Sequence, residues 1–420
     1  MRVSLPALVA ALLLLPQALS SRDSAAFLHL GPAEIESGDE PHYLLILSSL
    51  LEDGDFDLAN NYAAVHRGSA QAGQRFAGSS MDHHTSWFEG DTRVRWSDVY
   101  ENTWTRSSSG AWTAALRPDM QPYDGPEISL HSIGHALVLA PFLYLFRGTR
   151  WVEPIALFMS GLAVVIAMLM FRMLLEGLVT DRRMLDLVTV LTFLGTPIWH
   201  YGRSLFVEPF LLMFAVSAYA LALRRDRAWI PGLLIGLGVL MKPVFVLIGL
   251  PLLLRRRWVT GVPIAVAVLL VLITNHLLLG AWDRTAQPWI SGDFVRGFFG
   301  LLLSPEHGLF AFAPIAVIAL PGLFLFDAEE RLLFLAPFVA YVLVHALWFD
   351  WGGGWSYGPR FLVPVIPFVM IGLVRLRDLV STRHIWSKGD VVILGLASLA
   401  INALGALPYW RSWGRHPFFS

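Results

Sequence analysis

From Val152 to Leu407 the chain runs in apolar stretches separated by short charged breaks, and this pattern limits the fold more than any motif. The core of a bilayer offers no water, so backbone N–H and C=O groups must be satisfied within the crossing structure, which leaves helices or a closed barrel. The stretches near 152–178, 184–201, 205–223, 229–241, 243–254, 259–280, 309–326, 332–349, 360–376 and 389–408 read as helical. With an N-terminal anchor they make about eleven spans, given that a crossing takes about 20 residues. Composition agrees: 55% of residues are hydrophobic, 15% are charged and mean hydropathy is +0.57, outside the range of a soluble domain. An all-α polytopic membrane protein is expected.

The opening "MRVSLPALVAALLLLPQALSSRDS" has the basic start, apolar core and small-residue "ALS" of a signal peptide. Because many spans follow, residues 1–20 are expected to stay as an anchor. Residues 21–150 then form a first external loop, 151–408 a multi-span domain and 409–420 a short external tail. "SLHSIGHALVLAPFLYLF" is too short to cross and contains Pro141, so it reads as the second of two interfacial helices in that loop. The stretch from Trp229 to Leu254, with Lys242 and Pro243 at its middle, reads as two short helices meeting at a water-lined cavity.

Charge placement orients the chain. "DRR", "RRDR", "RRR" and "RLRDLVSTRHIWSK" fall on one side of the predicted spans, as the positive-inside rule requires of cytoplasmic loops, with acidic "DAEER" as the exception. Net charge is −1, so no basic field points to nucleic acid. There is no cysteine, which excludes disulfides, thiolate metal sites and cysteine nucleophiles. The sixteen tryptophans fit membrane interfaces.

Polar chemistry gathers on the opposite, external face. In "SGDEPHYLLI" (37–46), Ser37 with Glu40 resembles a capping box and Pro41 suits a first helical turn. This accounts for the local fold but not for Asp39 or His42. Arg203, Lys242, Arg284, Arg296 and Arg360 are the external cations. Singly, each suits an interfacial anchor; together they suit an anion at the membrane surface, with phosphate the natural candidate. Glu208 lies just inside a span and reads either as a functional carboxylate or as the partner of Arg203. Asp82, His83 and His84 could hold a metal, but adjacent histidines in a polar loop are usually solvated and the spacing of a helical zinc pair is absent. "WGGGWSYGP" lacks the context of a phosphate loop, and its glycines suit a tight turn.

In this order the pieces resemble the GT-C superfamily of membrane glycosyltransferases, particularly bacterial relatives of protein O-mannosyltransferases and of lipid A aminoarabinose transferases. The resemblance rests on Asp39-Glu40 after the first span, "LHSIGHALVLAPFLYLFRG", "GTPIWHYGRSLFVEP", Lys242-Pro243, "LLLSPEHGLFAFAPI" and "WGGGWSYGPRFLVPVIPF". Residues 60–128 match no feature of the family, and the soluble C-terminal domain of some members is not expected here. The resemblance implies a GT-C-like bundle that moves a sugar from a polyprenyl-phosphate carrier, with inversion, to a glycan, lipid or protein acceptor at the periplasmic face of a bacterial-type inner membrane.

It further implies that Asp39 is the catalytic base, with Glu40 beside it. Glu40 or Glu208 would orient the acceptor or hold a divalent cation. Arg203, Lys242 and Arg360 would stabilise the departing phosphate, and His307, Tyr357 and Arg360 would contact the carrier; His42 and Tyr43 complete the substrate-binding candidates. The rival class is a transporter or flippase for an anionic lipid-linked substrate, which predicts charges through the bundle on both leaflets rather than on one face.

Overall fold

A computed structural model describes residues 4–19, 35, 38–69, 76–224, 229–382 and 386–407. The chain is mostly helical, and its longer helices share one contiguous apolar core. Among the described residues three helices are long and apolar enough to cross a membrane: Val152–Leu175, Val259–Leu279 and Lys388–Ala406. Most other apolar helices have 10–17 residues, and Ala328–Ala346, 19 residues long, opens with Glu329, Glu330 and Arg331, so about eleven spans are not shown.

Three expected spans are broken. Residues 184–201 divide into Arg182–Phe193 and Ile198–Tyr201 around Gly195-Thr196-Pro197. Residues 309–326 divide into Leu309–Phe312, Ala316–Gly322 and a 3-10 turn, and 360–376 into Ile366–Met370 between 3-10 turns. Pro197, Pro314 and Pro364 stand at or beside these breaks, where a proline removes a helical donor and restrains the residue before it.

The opposite correction applies to 243–254 and 259–280, which run as a single helix, Val246–Leu279. No glycine or proline lies between Leu252 and Thr260 to stop it. At 1.5 Å per residue it is about 50 Å long, more than the ~30 Å hydrocarbon core.

The all-α expectation fails in the first loop, where residues 85–129 contain five strands. β1 (Thr85–Glu89) pairs antiparallel with β2 (Thr92–Arg95) and with β5 (Ile128–Ser129), while β3 (Tyr100–Arg106) pairs with β4 (Trp112–Leu116). Trp87, Trp96 and Val99 form a separate small core, with the Trp87 and Tyr123 rings stacked 4.0 Å apart. This strand-rich loop is what places two distant histidines beside Asp39.

Close helix packing fixes the rest of the frame. The helix Gly134–Leu143 starts against the end of Trp229–Met241, where a Cβ on Gly134 would fall onto the Leu240 carbonyl and Ser132 Oγ donates to that same oxygen at 2.6 Å. Small residues allow such approach where lipid offers no hydrophobic drive between helices. At one end of the bundle Arg172 pairs with Asp186, Arg224 with Glu176 and Arg377 with Asp181. Three of the predicted basic breaks therefore contribute charges to one region.

Candidate functional site

Glu40–Ser48 forms a helix with Pro41 in its first turn, as the sequence predicts, and closes through a π-helical turn at Gly54 in left-handed conformation. The expected cap is different. Ser37 lies outside the described residues, and Asp39 takes the capping position without making a capping bond. Gly38, at φ +54, turns the chain into Asp39 where a Cβ would meet the Trp355 carbonyl at 3.0 Å. The Asp39 carboxylate is thereby left for partners outside its own helix.

Its main partner is Arg360, whose Nη1 lies 2.7 Å from Asp39 Oδ2. The same guanidinium reaches Glu208 Oε1 through Nε at 3.2 Å, and Lys242 Nζ approaches that oxygen at 3.4 Å. Asp39, Arg360, Glu208 and Lys242 form one chain of alternating charge, with two groups of each sign. Phe206 lies under Arg360 at 4.0 Å and Phe361 under Lys242 at 4.1 Å, and aromatic faces attract such cations. Glu208 is fully buried and its Oε2 has no hydrogen-bond partner among the described residues. Its sequence-based alternative partner, Arg203, is instead directed at the Ala406 and Leu19 carbonyls at 3.3 and 3.2 Å.

A second set of partners was invisible in the sequence. Antiparallel pairing of β1 and β5 sets Thr85 opposite Ser129, and the Leu130 N–H donates to the His84 carbonyl. His84 and His131 therefore meet across the register, with His84 Nδ1 and His131 Nε2 3.2 Å apart. Asp39 Oδ1 lies 3.9 Å from the first nitrogen and 3.8 Å from the second. His42 stacks on His84 at 3.6 Å, and its Nδ1 lies 2.6 Å from the Tyr62 hydroxyl, which also accepts the His84 N–H at 3.1 Å. The Tyr43 ring lies 4.9 Å from that of His131.

Burial would push the Asp39 carboxyl up, but Arg360, His131 and His84 outweigh it and hold the group well below the usual carboxylate range. Burial pushes His131 down to about 4 against the pull of Asp39, and pushes His84 and His42 down as well. At neutral pH the cluster thus combines an ionised carboxylate with neutral imidazoles.

The other sequence candidates lie elsewhere. Glu40 Oε1 accepts the Leu205 N–H at 2.6 Å, a bond that pins the first loop to the segment leading into Glu208. The buried Tyr357 hydroxyl donates to the Ile401 carbonyl. His307 lines a cleft of about 300 Å³ with Asp293, Arg296, Glu306 and Asp350, and three acids against one arginine make poor surroundings for a phosphate. Arg284 pairs with Asp91 at the β1–β2 turn. Of the suspected metal triplet, His83 turns to Glu127 and Asp82 accepts from Trp104, so only His84 reaches Asp39.

The fold is similar to that of solved ArnT structures. Among solved structures the chain is similar to ArnT from Cupriavidus metallidurans bound to undecaprenyl phosphate, with a TM-score of 0.51 and 16% identity over 93% of this chain and 61% of that one. The same protein in its apo state gives 0.49 and 14%, with the same coverage. The chain thus spans about 61% of the length of ArnT. No protein-family model matches the sequence, and no curated protein does.

Proposed function

We propose that the protein is an inverting glycosyltransferase of an inner membrane, taking a sugar from a polyprenyl-phosphate carrier at the periplasmic face. The observation that carries this reading is the chain of alternating charge from Asp39 through Arg360 and Glu208 to Lys242, which sets an ionised carboxylate beside cations suited to phosphate. The ArnT structure similar in fold is bound to undecaprenyl phosphate, which supports a carrier of that kind.

A polyprenyl phosphate leaves as a stable anion, so one base suffices where a glycosidase needs two carboxyl groups. Asp39 takes the acceptor's proton as the acceptor attacks the anomeric carbon, and the C–O bond to phosphate breaks on the opposite side. Held by Arg360, Asp39 is a weak base. An arriving phosphate competes for the guanidinium, and as Arg360 shifts toward it the carboxylate gains basicity. The same movement stabilises the leaving group, by about 3 kcal/mol for a well-placed donor. Lys242, at the turn between two helices, keeps Glu208 neutralised while Arg360 is engaged.

Purified Asp39→Asn is expected to insert and fold normally yet lose transfer from a defined polyprenyl-phosphate sugar by about a hundredfold or more. Near-normal turnover removes Asp39 from the role of base. Carrier movement across vesicles without any transfer would point to the flippase class instead.

A further inference from the structure

We propose that Asp39, His84 and His131 bind a divalent transition-metal ion of zinc type, through one carboxylate oxygen and two imidazole nitrogens. The same three atoms, Asp39 Oδ1, His84 Nδ1 and His131 Nε2, are separated pairwise by 3.2, 3.8 and 3.9 Å. Ligands held about 2.0–2.1 Å from a tetrahedral zinc ion stand about 3.3 Å apart. Three donors so spaced share a centre after side-chain shifts of a few tenths of an ångström. Two imidazoles favour zinc, cobalt or nickel over magnesium and calcium, which take oxygen ligands.

The surroundings suit a ligand set. Arg360 holds Asp39 through Oδ2, leaving Oδ1 to face the two nitrogens, and carboxylates that bind metals are usually anchored in this way. His42, stacked on His84, fixes the plane of that ring. The His84 side chain is 38% exposed and that of Asp39 23%, so an ion can enter and a fourth position remains for water or substrate.

The charges add a reason. Arg360 and Lys242 are already engaged by Asp39 and Glu208, so an arriving phosphate must compete with two carboxylates for these cations. A divalent ion supplies two positive charges beside them. That use in catalysis rests on the glycosyl-transfer reading; the binding itself does not.

The test uses untagged full-length protein in detergent, stripped with a chelator and titrated with Co2+. One equivalent is expected to bind with the intense visible absorption of a tetrahedral cobalt site and to be displaced by Zn2+. In His84→Ala/His131→Ala, affinity is expected to fall at least about a hundredfold, since loss of a mere supporting partner costs 10–100-fold. A weak octahedral spectrum in the wild type overturns the site without reference to any variant, as do wild type and double variant titrating alike. The titration needs no sugar donor, so its failure leaves the transfer reading standing.

Discussion

Removing Arg360 should be costly, and the structure indicates how the cost divides. Arg360→Ala deprives two carboxylates of a partner, Asp39 at 2.7 Å and Glu208 at 3.2 Å. Removing one member of a buried pair typically destabilises by about 3–5 kcal/mol, because an uncompensated charge is left behind. Glu208 is fully buried but keeps Lys242, whereas Asp39 loses its strongest partner but has a side chain 23% exposed that water can reach. The expected loss is therefore near the lower end, about 3 kcal/mol. Neutralising the stranded acid should recover part of it, so Arg360→Ala/Asp39→Asn should unfold with a coupling of about 1–3 kcal/mol relative to the summed single variants. Denaturant unfolding of the four proteins in one detergent, followed by tryptophan fluorescence, measures the cycle. Additive losses would refute an ion pair between Asp39 and Arg360.

Burial pushes Lys242 down to about 8, with Glu208 opposing. Its positive form prevails below that pH and is lost above it, so transfer should fall as pH rises through about 8, and Lys242→Arg should move this alkaline limb upward. A pH–rate profile unchanged in Lys242→Arg removes Lys242 from the site. Tyr357→Phe deletes a hydroxyl that donates to the Ile401 carbonyl, and should lower stability by about 1 kcal/mol with transfer retained; a large loss of transfer in the folded variant restores Tyr357 as a substrate contact. Gly38→Ala forces a side chain into φ +54 and against the Trp355 carbonyl, so at least about 1 kcal/mol of stability should go, measurable by the same unfolding assay.

How far the site could be read from sequence depended on the separation of its parts. Asp39 stood out because an acid that capping does not use, next to a membrane segment, is unusual by itself. Lys242 and Arg360 stood out as cations in proline- or glycine-bearing turns. Their pairing did not, since Glu208 and Arg360 are 152 residues apart and an equally good partner, Arg203, sat five residues from Glu208. The local candidate lost because the backbone carbonyls of Leu19 and Ala406 hold Arg203 elsewhere.

The place of His131 beside Asp39 was not legible for a different reason. Its position follows from the register of β5 on β1, and β5 is two residues long, beneath any pattern signal. The β1–β2 hairpin did leave a trace, with "SWFE" and "TRVR" on either side of Gly90-Asp91, a dipeptide suited to turns. In an external loop singled out for Asp82, His83 and His84, that trace by itself does not assign a strand.

The bond between Asp39 and Arg360 also has a consequence for the birth of the protein. Asp39 leaves the ribosome about 320 residues before Arg360, roughly 15–60 s earlier at usual rates of synthesis. Glu208, Lys242 and Arg360 follow in turn. Throughout that interval the carboxylate lacks its counter-ion, and the loop that carries it lacks its tie to Leu205 until the middle of the chain has been made. A chain interrupted before Arg360 thus carries the acid without the cation that restrains it, and the cluster of Asp39, Arg360, Glu208 and Lys242 is completed only when most of the polypeptide has been made.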